Sequence, residues 1–447
     1  MSRRFWAGLL AITALALVWR LLLVFTIHPD CGLDGHPPPD RCVAILGGNS
    51  DPRYLHDVAN LVADGDFFVD PIVLRVTGEE LPTAHKMPLF PTVLAASSVV
   101  GATSVDAHRA LAAAMGAGAV VAIGLVARQL AGPRSGLLGA AAAAVYPGLW
   151  INDYLLQVES LYAVLVAASI GVAYRFWWTP TVRWAGILGV VIALGVMTRA
   201  ETVLLYAFMV VPLLLGMDLS WRRRFELAAV CGALGLVVMG PWVAWNLVRF
   251  EERTLFSIAP GNVLNAATCD QTYYGDYIGY AATCLDYSEV AREVGVPEDE
   301  LGDYFLSIDE SERSAIAGEQ ANEYLRDHIE RLPLVMAARV GRLWEVYKPV
   351  QNTRLNSEIE ARGHRASQAA LVAWYGVVVL GVGGLVVLRR RGLPISPFLS
   401  IAVAITLTAA WAYGNARYRV PIDVAALIAS AVAVDAGLQR WWRADAD

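Results

Sequence analysis

The residues best suited to chemistry form an ordered series of charged groups: Asp51, Lys86, Glu159, Arg199, Arg417 and Arg419. A carboxylate can take the proton of an attacking hydroxyl, and cations can hold a departing phosphate, with charge developing at both places in the transition state. Asp51 is the candidate base. Lys86 offers a point charge to a phosphate, and Arg417 or Arg419 a bidentate fork. A single carboxylate acting as base, with no second one as nucleophile, corresponds to one in-line displacement with inversion at the attacked carbon. Tyr54, His56 and Arg199 are candidate substrate contacts. Asp51 and Glu159, with His56, also offer oxygen and imidazole ligands for a divalent ion. Each residue has a plainer reading. Asp51 would cap a helix, and Glu159 and Arg199 fall at segment ends, where structural pairs are as common as functional ones.

The elements that must position these groups are hydrophobic. Of the 447 residues 56% are apolar and the mean hydropathy is +0.48, so runs of about 20 uncharged residues recur and define an all-α polytopic membrane protein. About ten spans are expected, over 5–27, 107–128, 135–150, 159–177, 184–198, 201–217, 225–247, 368–388, 395–412 and 420–438. The net charge of −6 argues against a nucleic-acid partner. The first span lacks a small-x-small cleavage site and follows Ser2-Arg3-Arg4, which reads as an uncleaved anchor with the N-terminus in the cytoplasm.

One further apolar run, 87–101, decides the topology. If it stays on the outer side, Arg128 with Arg134, Arg175 with Arg183, Arg222 to Arg224, Arg389 to Arg391 and Arg440 with Arg443 all fall inside. Its brevity and its two prolines, Pro88 and Pro91, also suit a helix partly embedded from the outer face. Every candidate residue then lies outside: in the first outer loop, 28–106, at the turns near Glu159 and Arg199, and in Tyr413 to Arg419. Both termini are cytoplasmic. The segment from Asp51 to Val62 reads as an amphipathic interfacial helix. The polar stretch 248–367 reads as amphipathic helices packed on the outer surface, with Arg339 snorkelling to headgroups. Cys31 and Cys42 share one outer loop and Cys269 and Cys284 another, so two local disulfides are the economical pairing, with a metal site as the alternative.

The series of Asp51 and Tyr54, Ala84-His85-Lys86-Met87-Pro88-Leu89-Phe90-Pro91, Glu159, Thr198-Arg199-Ala200-Glu201 and Gly414-Asn415-Ala416-Arg417-Tyr418-Arg419-Val420-Pro421 resembles the GT-C glycosyltransferases. The resemblance is to the branch of the protein O-mannosyltransferases and the lipid A aminoarabinose transferase. It implies a GT-C-type helix bundle with Asp51 as base or metal-adjacent carboxylate. Lys86 and the Arg417 to Pro421 pattern would then lie on the donor phosphate, with Glu159 as the acidic residue opening a later span. The Asp-Glu pair of the O-mannosyltransferases is absent, because Pro52 follows Asp51, so the acceptor is not inherited.

The expectation is therefore an integral membrane glycosyltransferase of the cell envelope. It would take a sugar from a polyprenyl-phosphate donor and pass it to a glycan, lipid or protein acceptor on the extracytoplasmic face of the plasma membrane, with a divalent metal ion as a candidate cofactor. The expected organisation is a catalytic transmembrane module over 1–247, an outer segment over 248–367 and terminal spans over 368–447. The alternatives are a flippase for lipid-linked sugars and a noncatalytic assembly subunit. A transporter should carry ionisable groups in mid-span and repeated halves, whereas this chain keeps its charges at span ends.

Overall fold

The computed structural model describes residues 3–27, 50–282 and 284–444. Among them the only β pairing is an isolated bridge between Val69 and Pro82; the rest of the regular structure is helical. Six helices are long and apolar enough to cross a membrane: Arg3–Thr26, Val105–Ala131, Glu159–Trp178, Trp221–Arg249, His364–Arg390 and Ala416–Arg440. Val182–Val196, Ala200–Gly216 and Ser396–Trp411 are shorter apolar helices at the other expected spans. The segment expected over 135–150 is helical but broken. Pro133–Val145 stops at Tyr146, and Pro147 opens a second helix to Tyr154, because proline cannot continue the preceding hydrogen-bond ladder. The protein is a multi-pass membrane protein.

The run expected to stay on one face forms Leu89–Val99, whose 11 residues rise only about 16 Å, well short of the ~30 Å hydrocarbon core. It packs against the amphipathic helix Asp51–Asp64, expected at the membrane interface. That helix buries Tyr54, Leu55, Val58 and Ala59. His56 lies elsewhere on its surface, with Nδ1 3.0 Å from Nδ1 of His108. His108 Nε2 meets Ser98 Oγ at 2.9 Å, and Ser98 donates to Asn60. This polar chain joins the two interfacial helices to the span Val105–Ala131.

Spans approach one another through small residues, as helices do where lipid gives no hydrophobic drive for association. A Cβ on Gly384 would lie 1.9 Å from the Ala429 carbonyl oxygen, so His364–Arg390 and the last helix meet backbone to backbone. Gly116 leaves room for Asp153, whose carboxylate takes the Nε–H of Arg20 at 2.7 Å. Arg20 is fully buried in this pair.

Segment 248–367 packs onto the end of the bundle opposite the basic last turns of Val105–Ala131, Glu159–Trp178 and His364–Arg390. Arg339 does not snorkel. It is 1% exposed and donates to the Ala410, Trp411 and Ala267 carbonyls, where it satisfies the C-terminus of Ser396–Trp411. Cys269 and Cys284 are disulfide-bonded and Cys231 is a buried free thiol. Cys31 and Cys42 lie outside the described residues.

Asp153→Ala would leave Arg20 buried without its counter-charge. The expected loss is about 3 kcal/mol or more of stability, read as a lowered unfolding midpoint in detergent. An unchanged midpoint would contradict the pairing.

Candidate active site

Asp51 opens the interfacial helix just after Ser50, which occupies the cap position, and Pro52 follows in the first turn. Its carboxylate is turned towards cations. Oδ1 accepts from Lys86 Nζ at 2.7 Å and Oδ2 pairs with Arg417 Nη1 at 2.9 Å. Burial alone would raise the pKa of this group, but Lys86 and Arg417, with His85, outweigh it and hold the Asp51 carboxyl well below the usual carboxylate range.

Arg417 sits in a 3₁₀ turn, Ala416–Arg419, at the start of the last span, with Asn415 Oδ1 accepting its backbone N–H. Besides Asp51, its guanidinium donates to Glu159 Oε1 at 3.0 Å and to Glu360 Oε2 at 3.1 Å. Glu159 Oε1 also accepts from Arg199 Nη1 at 2.7 Å; its Oε2 is buried with no partner among the described residues. Arg199 donates to Glu201 as well and lies over the Tyr418 ring, 4.5 Å from its centre. Asp51, Lys86, Glu159, Arg199 and Arg417, which are far apart in the chain, therefore form one ion network.

Lys86 is held by the backbone on which it sits. Thr83 Oγ1 and Ala84 N–H both donate to Glu310 Oε2, at 2.6 and 3.0 Å. Arg249 donates to the Thr83 carbonyl, Ile258 N–H to that of Ala84, and Leu89 N–H to that of Met197. Tyr54, expected at substrate, instead bonds Thr83 Oγ1 at 2.5 Å and belongs to this support. Arg419 is likewise turned away from the network. It donates to Asp423 and to the Leu343 carbonyl and lies over the Trp374 ring. His56 is engaged with His108 as described above.

Two cavities share Asp51, Lys86 and Arg417 in their linings. One, of about 420 Å³, adds Arg199 and Glu201 and the apolar Leu264, Ile405, Ala409 and Trp411. The second, of about 400 Å³, adds the polar groups of Ser50, Gln157, Asn262 and Glu360. Glu360 went unnoticed in the sequence; it lies in the polar turn between Pro349–Glu358 and His364–Arg390, where its residue type alone carries no signal.

A divalent ion needs several oxygen or nitrogen donors around one point. Among the described residues no three His, Cys, Asp or Glu side chains gather closely enough to hold one. Asp51 and Glu159 are bridged by Arg417 rather than facing a shared space. The residues as arranged do not fit a metal, and no step is routed through one.

The helical architecture has counterparts among solved structures at low sequence identity. It is similar to the oligosaccharyltransferase AglB of Archaeoglobus fulgidus. The apo form matches with a TM-score of 0.52 and 14% identity, over 97% of this chain and 51% of that one. The complex of that enzyme with an inhibitory peptide and a dolichol-phosphate matches at 0.51 and 16%, over 97% and 51%. ArnT from Cupriavidus metallidurans bound to undecaprenyl phosphate matches at 0.45 and 16%, over 97% and 79%. The chain thus spans about half the length of the oligosaccharyltransferase it matches. Within it, residues 85–245 match the family of dolichyl-phosphate-mannose-protein mannosyltransferases, a stretch that holds Lys86, Glu159 and Arg199. No curated protein matches the sequence.

Burial, then the neighbouring Asp70 carboxylate, raise the Glu310 carboxyl from its ordinary 4.5 to about 7. A raised acid contributes its full stability below 4.5 and loses it as pH rises through about 7, because the unfolded chain gives up its proton first. The difference in unfolding midpoint between wild type and Glu310→Gln should therefore fall across that window. A difference that stays flat over the window would contradict this.

Proposed function

We propose that the protein is an inverting membrane glycosyltransferase that moves a sugar from a polyprenyl-phosphate carrier to an acceptor hydroxyl. The observation that carries this reading is the convergence of Asp51, Lys86 and Arg417 in the lining shared by two cavities. The dolichol-phosphate complex of AglB and the name of the family matching residues 85–245 support a lipid-phosphate donor. The apolar side of the first cavity suits the lipid end of such a donor, with its phosphate near Lys86 and Arg417. The polar second cavity suits the acceptor. The site would face the extracytoplasmic side, with both termini in the cytoplasm, because the basic helix ends lie at the opposite end of the bundle. Segments 1–247, 248–367 and 368–447 then act as catalytic module, outer segment and terminal spans, with Arg417 entering the site from the last.

The carboxylate that serves as base is neutralised before substrate arrives, and this defines the mechanism. Asp51, held by two cations, is a weak base. An arriving phosphate offers those cations a second anion. As Lys86 and Arg417 turn to it, Asp51 loses the partners that depress its proton affinity. The carboxylate then takes the acceptor proton while the acceptor oxygen bonds to the anomeric carbon. The bond from that carbon to the phosphate oxygen breaks, and the phosphate keeps the electron pair beside Lys86 and Arg417. Tyr54 and Glu310 act through the backbone that carries Lys86, and are positioning residues.

Transfer from a polyprenyl-phosphate sugar by purified protein tests this. Asp51→Asn should lower kcat by about 10² to 10⁴, and a fully active variant would remove Asp51 from the role of base. In wild type the acid limb of kcat/KM should lie below the ordinary carboxylate range. Lys86→Gln, which removes a charge that favours the ionised form, should move that limb to higher pH. A limb unmoved by this change would contradict the coupling.

A further inference from the structure

The residues Leu155 to Val158 join the helix Pro147–Tyr154 to the span that begins at Glu159. They close as a Schellman motif, with Gln157 N–H on the Asn152 carbonyl at 3.0 Å and Leu156 N–H on that of Asp153 at 3.3 Å. The motif puts one residue in the left-handed region, where glycine is usual, and here that residue is Leu156, at φ 52°. A residue with a Cβ is strained there. The leucine side chain offsets the strain by packing. It is fully buried, in one cluster with Leu55 and Ala59 of Asp51–Asp64 and Phe90 and Leu94 of Leu89–Val99. That packing locks the turn, and with it the place from which Gln157 enters the site.

Gln157 lines the polar cavity together with Asp51, Lys86, Asn262, Glu360 and Arg417, and it is 3% exposed. Its amide oxygen is buried and has no hydrogen-bond partner among the described residues. A buried polar atom without a partner is destabilising. The terminal torsion of glutamine is broad and roughly two-fold, so a half-turn about it presents either end of the amide to the cavity. The charged groups of the cavity already pair with one another, Asp51 with Lys86 and Arg417, and Glu360 with Arg417. The neutral Gln157 amide is available to the part of an acceptor that does not react.

We propose that Gln157 selects the acceptor: its amide hydrogen-bonds a second hydroxyl beside the one that attacks, which makes the acceptor a saccharide. The proposal rests on the glycosyltransferase reading and narrows its acceptor from glycan, lipid or protein. An amide both donates and accepts, and so does a hydroxyl. A site built to bond a hydroxyl also rejects a ligand that lacks it, because the buried amide is then left unpaired. A serine or threonine side chain brings a single hydroxyl, which the attack consumes.

Transfer by the full chain in lipid nanodiscs, from polyprenyl-phosphate mannose and polyprenyl-phosphate arabinose to methyl α-mannoside, methyl α-arabinofuranoside and N-acetylthreonine amide, tests this. At least one glycoside should accept the sugar. Gln157→Leu should raise the KM for that glycoside by about tenfold, with kcat falling less, and leave the KM for the donor within about threefold. Among the monodeoxy forms of the glycoside, one should lose about tenfold in kcat/KM with wild type and nothing further with Gln157→Leu, as a shared interaction requires. The unfolding midpoint of Gln157→Leu without acceptor should not fall, because the substitution removes an unpaired amide; a fall would make the residue structural and overturn the proposal. An unchanged KM for the glycoside, transfer to N-acetylthreonine amide alone, or neither binding of nor transfer to a glycoside would overturn it as well. The first two of these leave the transferase reading intact. Calorimetric binding of a glycoside that weakens in Gln157→Leu, without transfer from either donor, defeats the transferase reading instead.

Discussion

The structure depends on one guanidinium. Arg417, 6% exposed, is held by Asp51 from the interfacial helix, Glu159 from the start of a span and Glu360 from an outer turn. Taking such charges out of water costs several kcal/mol for each ion, and the cost is recovered only with close partners and satisfied donors. Removing any one carboxylate disturbs the balance for the rest. The network therefore fixes the first outer helix, the bundle and the outer segment against one another at the place where the two cavities meet.

The surroundings divide the work. The apolar spans pack through small residues and leave the ion network around Arg417 at one end. The backbone from Thr83 to Leu89 is tied by Glu310, Arg249, Ile258 and Met197, so Lys86 is aimed by secondary contacts rather than by its own flexible chain. Held this way, the backbone that carries Lys86 stays in place when a phosphate arrives, and only the side chains turn from Asp51. The interfacial helix is anchored independently through His56, His108 and Ser98, so Asp51 does not rely on the ion network alone for its place.

Much of this was legible in the sequence, for identifiable reasons. Apolar run length gave the spans, and the brevity of 87–101 marked it as a non-spanning run, which forms the short helix Leu89–Val99 packed on Asp51–Asp64. Charges at span ends on a single face must meet once the bundle closes, which is how Asp51, Lys86, Glu159, Arg199 and Arg417 come together. Arg419 shares a motif with Arg417, but two residues along a 3₁₀ turn is about 240° of rotation, so the pair cannot face the same cavity. His56, five residues beyond Asp51, is about 140° away around the helix and meets His108 instead. Glu360 and Glu310 were not legible. Each lies in a polar stretch rich in similar residues, and only the fold shows which carboxylate points inward.

The most direct measurement is a structure of the protein with a polyprenyl phosphate bound. The account predicts the phosphate within hydrogen-bonding distance of Lys86 Nζ and the Arg417 guanidinium, with the Lys86–Asp51 pair opened and the Asp51 carboxylate facing the polar cavity. A phosphate bound elsewhere, with both ion pairs to Asp51 intact, would contradict it.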